Sequence, residues 1–244
     1  NNPVSKAVAH AIYGRQMEGS VTRLEKFARC AYSHFLDYGL GLKERKEPGM
    51  TQMNMGNLYH DALRRFSENL SKQQLDWHHL KDEQRDALAD EAIMEAIQWN
   101  LDSAQEDSAE EAYILGRMKH TFRQTIWALT TQVKAGRFQP SEFEIKFQQL
   151  EDEESLRVHL GEGHEMKLTG CIDRLDLCQE EGKTYVKIID YKSGNTSFDL
   201  VRIFRGESLQ LVLYLDVAMQ HCKKQSASDG SEREVIPAAM LYYH

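Results

Sequence analysis

The sequence has few cysteines, and none of them stands in a C-x-x-C pair. Its four cysteines are Cys30, Cys171, Cys178 and Cys222. This spacing argues against a self-contained zinc or iron–sulfur site and against a disulfide framework, and it favours free thiols. Cys171 and Cys178 lie in strand-like sequence, where a cysteine usually packs as a small buried hydrophobe.

Long apolar runs, a targeting segment and an ATP-binding loop are also missing. No run approaches the roughly 18 apolar residues that span a bilayer. The first residues, NNPVSKAVAHAIYG, lack the basic and apolar regions of a signal peptide. The phosphate-binding pattern G-x-x-x-x-G-K-[ST] does not occur. We therefore expect a cytoplasmic protein that contacts no membrane and contains no ATP-driven motor.

The net charge of −8 is unevenly distributed along the chain. Residues 73–113 hold 12 acidic and 2 basic residues, whereas residues 1–72 hold 11 basic and 7 acidic residues. An even negative charge would count against a nucleic-acid partner. Because the acidity is concentrated in one segment, a neutral or basic surface elsewhere stays available to a polyanion.

Apolar spacing predicts a run of helices followed by strands, one more helix and a final strand. The predicted helices span residues 20–39, 53–70, 81–101, 113–133 and 208–222, with a polar acidic loop at 102–111. The predicted strands span residues 143–147, 156–160, 166–177, 185–191 and 234–244, the first four as an antiparallel meander. This order predicts an α/β or α+β layer structure in one domain, residues 1–244, with a helical insertion at 72–136.

Two acidic residues near the strand ends could form a metal site. In an extended strand Asp190 and Lys192 share a face, and Asp173 lies in the preceding predicted strand, which could pair with the first across the turn EEGK. Two close carboxylates resist joint ionisation unless a hard cation such as Mg²⁺ lies between them. An ordinary ion pair at a strand end, or a surface network of Asp173 with Arg174 or Lys192, explains the same residues.

Two helices carry further polar residues at one-turn spacing. Gly56 stands four residues before His60, which leaves the helix face bare beside the imidazole, and Gln210 stands four before Tyr214. Each pair also has a plain structural explanation. A lone helical histidine is usually a surface or core residue, and the Gln210 face could simply border solvent.

Taken in order, these elements resemble the RecB-like branch of the PD-(D/E)XK nuclease superfamily. The order is G-x-x-x-H, G-x-x-D, D-x-K and Q-x-x-x-Y. The resemblance extends to the C-terminal nuclease domain of the AddB family, the B-type subunit of the bacterial ATP-dependent helicase/deoxyribonuclease. It rests on six segments in order: SVTRLEKFARCAYSHFLDYGLGLKER, MGNLYHDALRRF, GRFQPSEFEIKF, LTGCIDRLD, IIDYKSG and LQLVLYLDVA.

This resemblance implies a fold and a set of residue roles. The fold is a central mixed sheet flanked by helices. The expected Mg²⁺ ligands, with Mn²⁺ able to substitute, are His60, Asp173, Asp190 and the backbone carbonyl of Tyr191. Asp173, Asp190 and Lys192 form the expected catalytic set, with Lys192 orienting the attacking water and stabilising charge on the phosphate. Gln210 and Tyr214 are expected to position the DNA backbone, and Glu144 and Asp176 are further acidic candidates.

The resemblance also implies a 4Fe–4S cluster in the full-length family. Cys30 occupies the position of one cluster ligand, but the three cysteines expected after the catalytic helix do not occur before His244. Two explanations stay open: the chain is a fragment of a longer protein, or this member lacks the cluster. We favour the fragment, in which Cys30 is an unligated thiol.

The function that the resemblance implies is a Mg²⁺-dependent exodeoxyribonuclease module of a helicase–nuclease complex. It would cut single-stranded DNA from unwound duplex ends during resection for recombinational double-strand-break repair, beside a helicase subunit of the AddA type. Two alternatives remain. One is a noncatalytic nuclease-like scaffold that binds DNA or the helicase partner, and the other is a stand-alone RecB-like nuclease of the Cas4 type.

Overall fold

The computed structural model of the chain describes residues 5–14, 16–43, 52–100, 109–150, 156–161, 163–192, 194, 196–228, 230 and 233–243. Its helices are α1 (Lys6–Tyr13), α2 (Val21–Arg29), α3 (Ala31–His34), α4 (Gln52–Lys72), α5 (Asp82–Asn100), α6 (Ala109–Ala135), α7 (Leu200–Phe204) and α8 (Gln210–Ser228). Its strands are β1 (Gln16–Ser20), β2 (Gln139–Lys146), β3 (Arg157–Gly161), β4 (His164–Thr169), β5 (Cys171–Glu180), β6 (Lys183–Tyr191) and β7 (Glu234–Tyr243). None of the described helices is long and apolar enough to cross a membrane.

A four-stranded mixed sheet forms the centre of the protein. Its strand order is β2-β5-β6-β7, in which β2, β5 and β6 are antiparallel and β7 runs parallel to β6. The turn between β5 and β6 consists of Glu181 and Gly182, both in the left-handed region with φ of 50° and 75°. Such two-residue turns match the twist of a hairpin. The predicted pairing across EEGK and the predicted mixed sheet are confirmed.

The prediction of one strand at residues 166–177 is wrong. The predicted strand is interrupted at Gly170. Strand β4, before the glycine, belongs to a separate three-stranded sheet of order β1-β4-β3. A side chain at Gly170 would meet the ring of Phe147 at 2.9 Å and the hydroxyl of Tyr214 at 3.1 Å. The meander is therefore divided between two sheets because the backbone bends where only glycine fits.

Helices cover both faces of the central sheet, as expected for an α/β layer structure. One apolar core joins α4, α5 and α6 to one face of β6, where it includes Phe66, Phe122 and Ile189. A second core joins α8 and the small sheet to the other face, where it includes Val186 and Ile188. Alternate residues of β6 thus enter different cores, as the two-residue period of a strand requires.

Two further predictions concern the helices. The segment between α4 and β2 is helical, formed by α5 and α6, and an insertion at 72–136 within one domain stays a prediction. The single helix predicted for residues 20–39 is wrong, because Cys30 has extended backbone angles (φ −161°, ψ 103°) and separates α2 from α3. Most of the loop predicted at 102–111 lies outside the described residues, and its last residues, 109–111, belong to α6.

Candidate metal centre and active site

Three acidic residues stand in one row across the central sheet. Phe143 of β2 pairs with Arg174 of β5, and Arg174 pairs with Ile189 of β6, so Glu144, Asp173 and Asp190 are the next residues in register on the three strands. Glu144 adopts a left-handed backbone with φ of 50°. This conformation costs about 1 to 3 kcal/mol for a residue other than glycine and is typical of functional sites. The fold therefore concentrates carboxylates at one end of these strands.

His60 on α4 lies over this row. Its Nδ1 is 3.2 Å from Glu144 Oε1 and 3.5 Å from Asp173 Oδ1, and its Nε2 is 3.2 Å from the carbonyl oxygen of Tyr191. One donor atom each from His60, Glu144 and Asp173 lies within 4.8 Å of the others. Carboxylate, carbonyl and imidazole donors at this separation can hold a divalent cation.

The protonation of His60 follows from its neighbours. Burial alone would lower the pKa of His60, but hydrogen bonds and charges from Asp173 and Glu144 outweigh burial and raise the pKa to about 10. At neutral pH the ring is therefore an imidazolium. It donates one N–H toward the carboxylates and the other toward the Tyr191 carbonyl.

Asp190, Lys192 and Gln210 form a closed ring of polar contacts. Lys192 Nζ lies 2.5 Å from Asp190 Oδ2 and donates to Gln210 Oε1 at 2.9 Å, while Gln210 Nε2 donates to Asp190 Oδ1 at 2.9 Å. The carboxylate of Asp190 is thus directed at Lys192 and Gln210, and it lies outside the group of His60, Glu144 and Asp173.

Asp173 nevertheless affects the protonation of Asp190. Burial and the negative charge of Asp173 raise the pKa of Asp190 to about 6, against the opposing effect of Lys192. Asp173 is itself held in place, since the backbone N–H of Tyr191 donates to its Oδ2 at 2.7 Å. A bound cation would reduce the repulsion between these two neighbouring buried carboxylates.

Comparison with known proteins agrees with this geometry. Residues 18–244 match the PD-(D/E)XK nuclease superfamily. The chain belongs to that superfamily. It is also similar to the B-type subunit of the ATP-dependent helicase/deoxyribonuclease of three bacteria: Lachnoclostridium phytofermentans (39% identity over 241 residues, 99% of this chain), Alkaliphilus oremlandii (34% over 240 residues, 98%) and Clostridium acetobutylicum (32% over 240 residues, 98%). In each case the chain spans 20% of the relative's length.

The residues that the sequence predicted for a nuclease site can now be located in the structure. The structure brings together the predicted residues His60, Asp173 and Asp190, the Tyr191 carbonyl and Lys192. Glu144, which the sequence indicated only as a further candidate, also joins them. Asp176 does not: it is fully buried, accepts from Arg174 at 2.5 and 2.8 Å, and lies 2.8 Å from Lys187 Nζ. The charge of Asp176 is thus paired with Arg174 and Lys187 inside the core.

Tyr214 is buried in this PD-(D/E)XK domain, with 7% of its surface exposed. Burial raises the pKa of Tyr214 to about 12, although hydrogen bonds from Gln210 and from the backbone of Cys171 oppose that rise. Its hydroxyl therefore helps to hold the side chain of Gln210 in place through a hydrogen bond. Direct contact of Gln210 or Tyr214 with DNA stays a prediction.

Two supporting residues were not identified from the sequence. Glu25 on α2 is buried, and its Oε1 accepts from the backbone N–H groups of Leu209 (2.6 Å) and Gln210 (3.0 Å), which caps the start of α8. Cys171 donates its thiol to Glu144 Oε2 at 3.2 Å. Burial and the charge of Glu144 raise the pKa of this thiol, so it stays protonated. Neither contact has a local sequence signal, because each joins distant parts of the chain.

Cys30 lies apart from these contacts. Its side chain is exposed, and its sulfur accepts from the backbone N–H of Ser33 at 3.5 Å at the start of α3. Within the described ranges, the group of residues able to hold a metal contains no cysteine. Its role as a cluster ligand in a longer protein stays a prediction.

Proposed function

We propose that the chain is a Mg²⁺-dependent deoxyribonuclease module that hydrolyses phosphodiester bonds of single-stranded DNA as an exonuclease. One observation carries the proposal: Glu144, Asp173 and Asp190 form a row across three strands, with His60 above the row and Lys192 at its end. A carboxylate cluster with an adjacent ammonium suits a cation and a phosphate bound side by side.

The residues present fit a hard divalent cation. Glu144 and Asp173 supply carboxylate oxygens, Tyr191 supplies a carbonyl oxygen and His60 supplies a nitrogen once it has lost its proton. Asp190, whose carboxylate contacts Lys192, would be the further carboxylate ligand. When bound, such a cation polarises the phosphate and lowers the pKa of an attacking water.

Side chains of this protein would stabilise the developing charge and position the DNA. Lys192 is oriented by Asp190 and Gln210 and places an ammonium where negative charge develops on the phosphate. Gln210 is fixed in turn at the capped start of α8 by Glu25. We assign to Gln210 and Tyr214 the positioning of the DNA backbone, with Tyr214 acting through Gln210.

The cellular role is proposed from the relatives. All three carry the name of an ATP-dependent helicase/deoxyribonuclease subunit. By this similarity we assign the chain to a helicase–nuclease complex that works with an AddA-type helicase subunit in the cytoplasm. There it would resect DNA ends for recombinational repair. A 4Fe–4S cluster that includes Cys30 belongs to this proposal for the full-length protein.

The test is cleavage of end-labelled single-stranded DNA by the chain with Mg²⁺ and with EDTA. We expect metal-dependent cleavage that is lost in Asp190→Ala and retained in Asp216→Ala, a matched change of an exposed carboxylate on α8. Equal cutting by Asp190→Ala would contradict the proposed role of Asp190. Absence of cutting by a folded wild-type chain, and by a version extended through the cluster region, would leave the noncatalytic scaffold as the correct interpretation.

A further inference from the structure

A cavity of about 800 Å³ lies beside the acidic row. It is bounded by α4, by α6 and by the ends of β6 and β7, and it shares His60, Tyr191 and Lys192 with the candidate active site. Its volume falls within the roughly 300 to 1,000 Å³ of pockets that bind small organic groups. Any group that enters it is therefore adjacent to a phosphate held at Lys192.

The wall contributed by α6 is a stripe at one-turn spacing. Tyr113, Arg117 and Thr121 follow one another at intervals of four residues, which places them on one helix face, and all three line the cavity. The core of the protein does not need this stripe, because α6 packs through a different set that includes Phe122 and Ile126. Tyr113 is 65% exposed.

The wall contributed by α4 includes the ring of Tyr59. The ring of Tyr59 lies nearly parallel to that of Phe122, with 18° between the planes and 6.4 Å between the centroids. Burial raises the pKa of Tyr59, while a hydrogen bond from Thr121 and the charge of Arg117 oppose the rise. Thr121 and Arg117 of α6 therefore act on the hydroxyl of Tyr59.

The charge of the lining differs from that of the chain. The described residues that line the cavity include Arg117, Lys192 and His60, and no aspartate or glutamate is among them. The chain as a whole has a net charge of −8, and much of its acidity lies in residues 73–113, next to this wall in sequence. A surface whose described charged residues are basic and that includes aromatic rings is suited to a group attached to a polyanion.

We propose that the cavity receives one unpaired base of the strand being cut, from the nucleotide next to the scissile phosphate. The proposal rests on the nuclease function proposed above and gives the preference for single strands a cause in named residues. A base is joined to its phosphate through one sugar, so a phosphate at Lys192 brings that base to the shared wall. A base held in a duplex cannot enter without being unpaired and unstacked.

The side-chain chemistry of Tyr113 and Arg117, and the exposure of Tyr113, indicate the role of each residue in the cavity. Tyr113 stacks on the base, which is tolerant of sequence because every base has an aromatic face. Arg117 contacts the adjoining phosphate or the base plane through its guanidinium. The cavity is thus a specificity determinant for unpaired DNA of any sequence.

The experiment compares intact single-stranded oligonucleotides with copies that carry one abasic nucleotide at successive positions. For the wild-type chain we expect kcat/KM for the bond next to the abasic position to fall about 10-fold, the loss of one base–aromatic stack. In Tyr113→Ala the intact substrate is cut about 10-fold more slowly, and the abasic change then has less than about a 2-fold effect.

The matched control is Trp127→Ala. Trp127 is an exposed aromatic residue on the same helix, 55% exposed, and does not line the cavity. We expect it to keep the wild-type penalty for an abasic nucleotide. Arg117→Ala is the second variant, with weaker binding of all sequences and a salt dependence reduced by about one phosphate contact.

Failure of the cavity proposal and failure of the nuclease proposal give different results. If the abasic penalty is the same in wild type, Tyr113→Ala and Trp127→Ala, the cavity does not hold a base. If neither the wild-type chain nor the version extended through the cluster region cuts DNA, the nuclease proposal fails. Binding of the same fluorescently labelled oligonucleotides in EDTA then decides the cavity by the same criterion of a penalty that depends on Tyr113.

Discussion

At the residue scale, the contact between Cys171 and Glu144 links a thiol to the candidate metal site. The protonated thiol donates to the second oxygen of a carboxylate whose first oxygen faces His60. Such supporting hydrogen bonds orient a ligand, and their loss typically lowers metal affinity 10- to 100-fold. The position of Glu144 is already strained by its left-handed backbone, which makes external support more valuable.

We predict that Cys171→Ala weakens Mg²⁺ binding about 10-fold and that Cys171→Ser, which keeps a donor, restores most of it. The measurement is a Mg²⁺ titration by calorimetry. Cys178→Ala is the matched control, because Cys178 is a buried cysteine on the same strand that lies away from Glu144. Equal effects at both positions would show that the thiol contributes only to packing.

The charge on His60 predicts proton release on metal binding. With its pKa raised to about 10 the ring is protonated in the metal-free protein, and a nitrogen must be deprotonated to bind a metal. We expect release of about one proton per cation bound at pH 8, and metal affinity that rises with pH toward 10.

A pH-indicator dye measures that release. In His60→Asn the release is expected to vanish, whereas His79→Asn, a change of an exposed histidine on the loop after α4, leaves it unchanged. Proton release that persists in His60→Asn would assign the proton to another group, and the proposed ligand role of His60 would then be wrong.

The residue scale also shows what the sequence could predict. His60, Asp173, Asp190 and Lys192 stand in short patterns whose order along the chain resembles the nuclease family, so they could be named as candidates in advance. Glu144 depends on the β2–β5 register and on its own unusual φ, which no local pattern records. The resemblance therefore gave the central residues, and the structure added those that support them.

At the element scale, the start of α8 is held by a residue from α2. Glu25 accepts from two backbone N–H groups at the helix start and thereby fixes Gln210, the first residue of α8. A carboxylate at this position also interacts favourably with the helix dipole. Helix α2 thus fixes the backbone of a candidate site residue.

We predict that Glu25→Ala lowers the free energy of unfolding by about 1 to 2 kcal/mol, the usual contribution of a helix cap. Cleavage is expected to fall as well, because Gln210 loses its fixed backbone. Urea denaturation followed by circular dichroism measures the first effect. Glu91→Ala, an exposed position on α5, is the control, and an equal result for both variants would contradict the capping role.

Helices and strands were predicted correctly where the local sequence pattern determines them. The prediction was wrong where contacts between distant residues determine a boundary. The long helices and the β5–β6 hairpin follow from apolar spacing and a two-residue turn. The break at Gly170 depends on the approach of Phe147 and Tyr214, which are distant in sequence. Strand β1 pairs with β4, some 150 residues away in the chain, so its five residues carry no sign of their partner.

At the scale of the whole molecule, the acidic row lowers the stability of the metal-free fold. The pKa of Asp190 is raised to about 6 in the folded state from an ordinary 3.8, so the folded state disfavours the charged form. A raised carboxyl pKa means that the folded protein binds its proton more tightly than the unfolded chain does. Stability therefore falls as the pH rises from 3.8 to 6, and the loss is complete above 6.

We predict that Asp190→Asn is more stable than wild type in EDTA at pH 8, by on the order of 1 to 3 kcal/mol, while it loses cleavage. The difference is expected to disappear as the pH falls from 6 to 3.8. Denaturant unfolding at a series of pH values measures it. A variant that is less stable than wild type at pH 8 would show that the ion pair with Lys192 outweighs the repulsion from Asp173.

The pairing of β7 with β6 has a consequence for biosynthesis. Tyr242 and Tyr243 of β7 pair with Asp190 and Tyr191, and the Tyr243 carbonyl accepts from the N–H of Lys192. About 40 residues separate the two strands, a few seconds of translation at 5 to 20 residues per second. During that interval the nascent chain leaves β6, which carries Asp190, with an open edge. The candidate metal site therefore reaches its final geometry only after the ribosome has delivered β7.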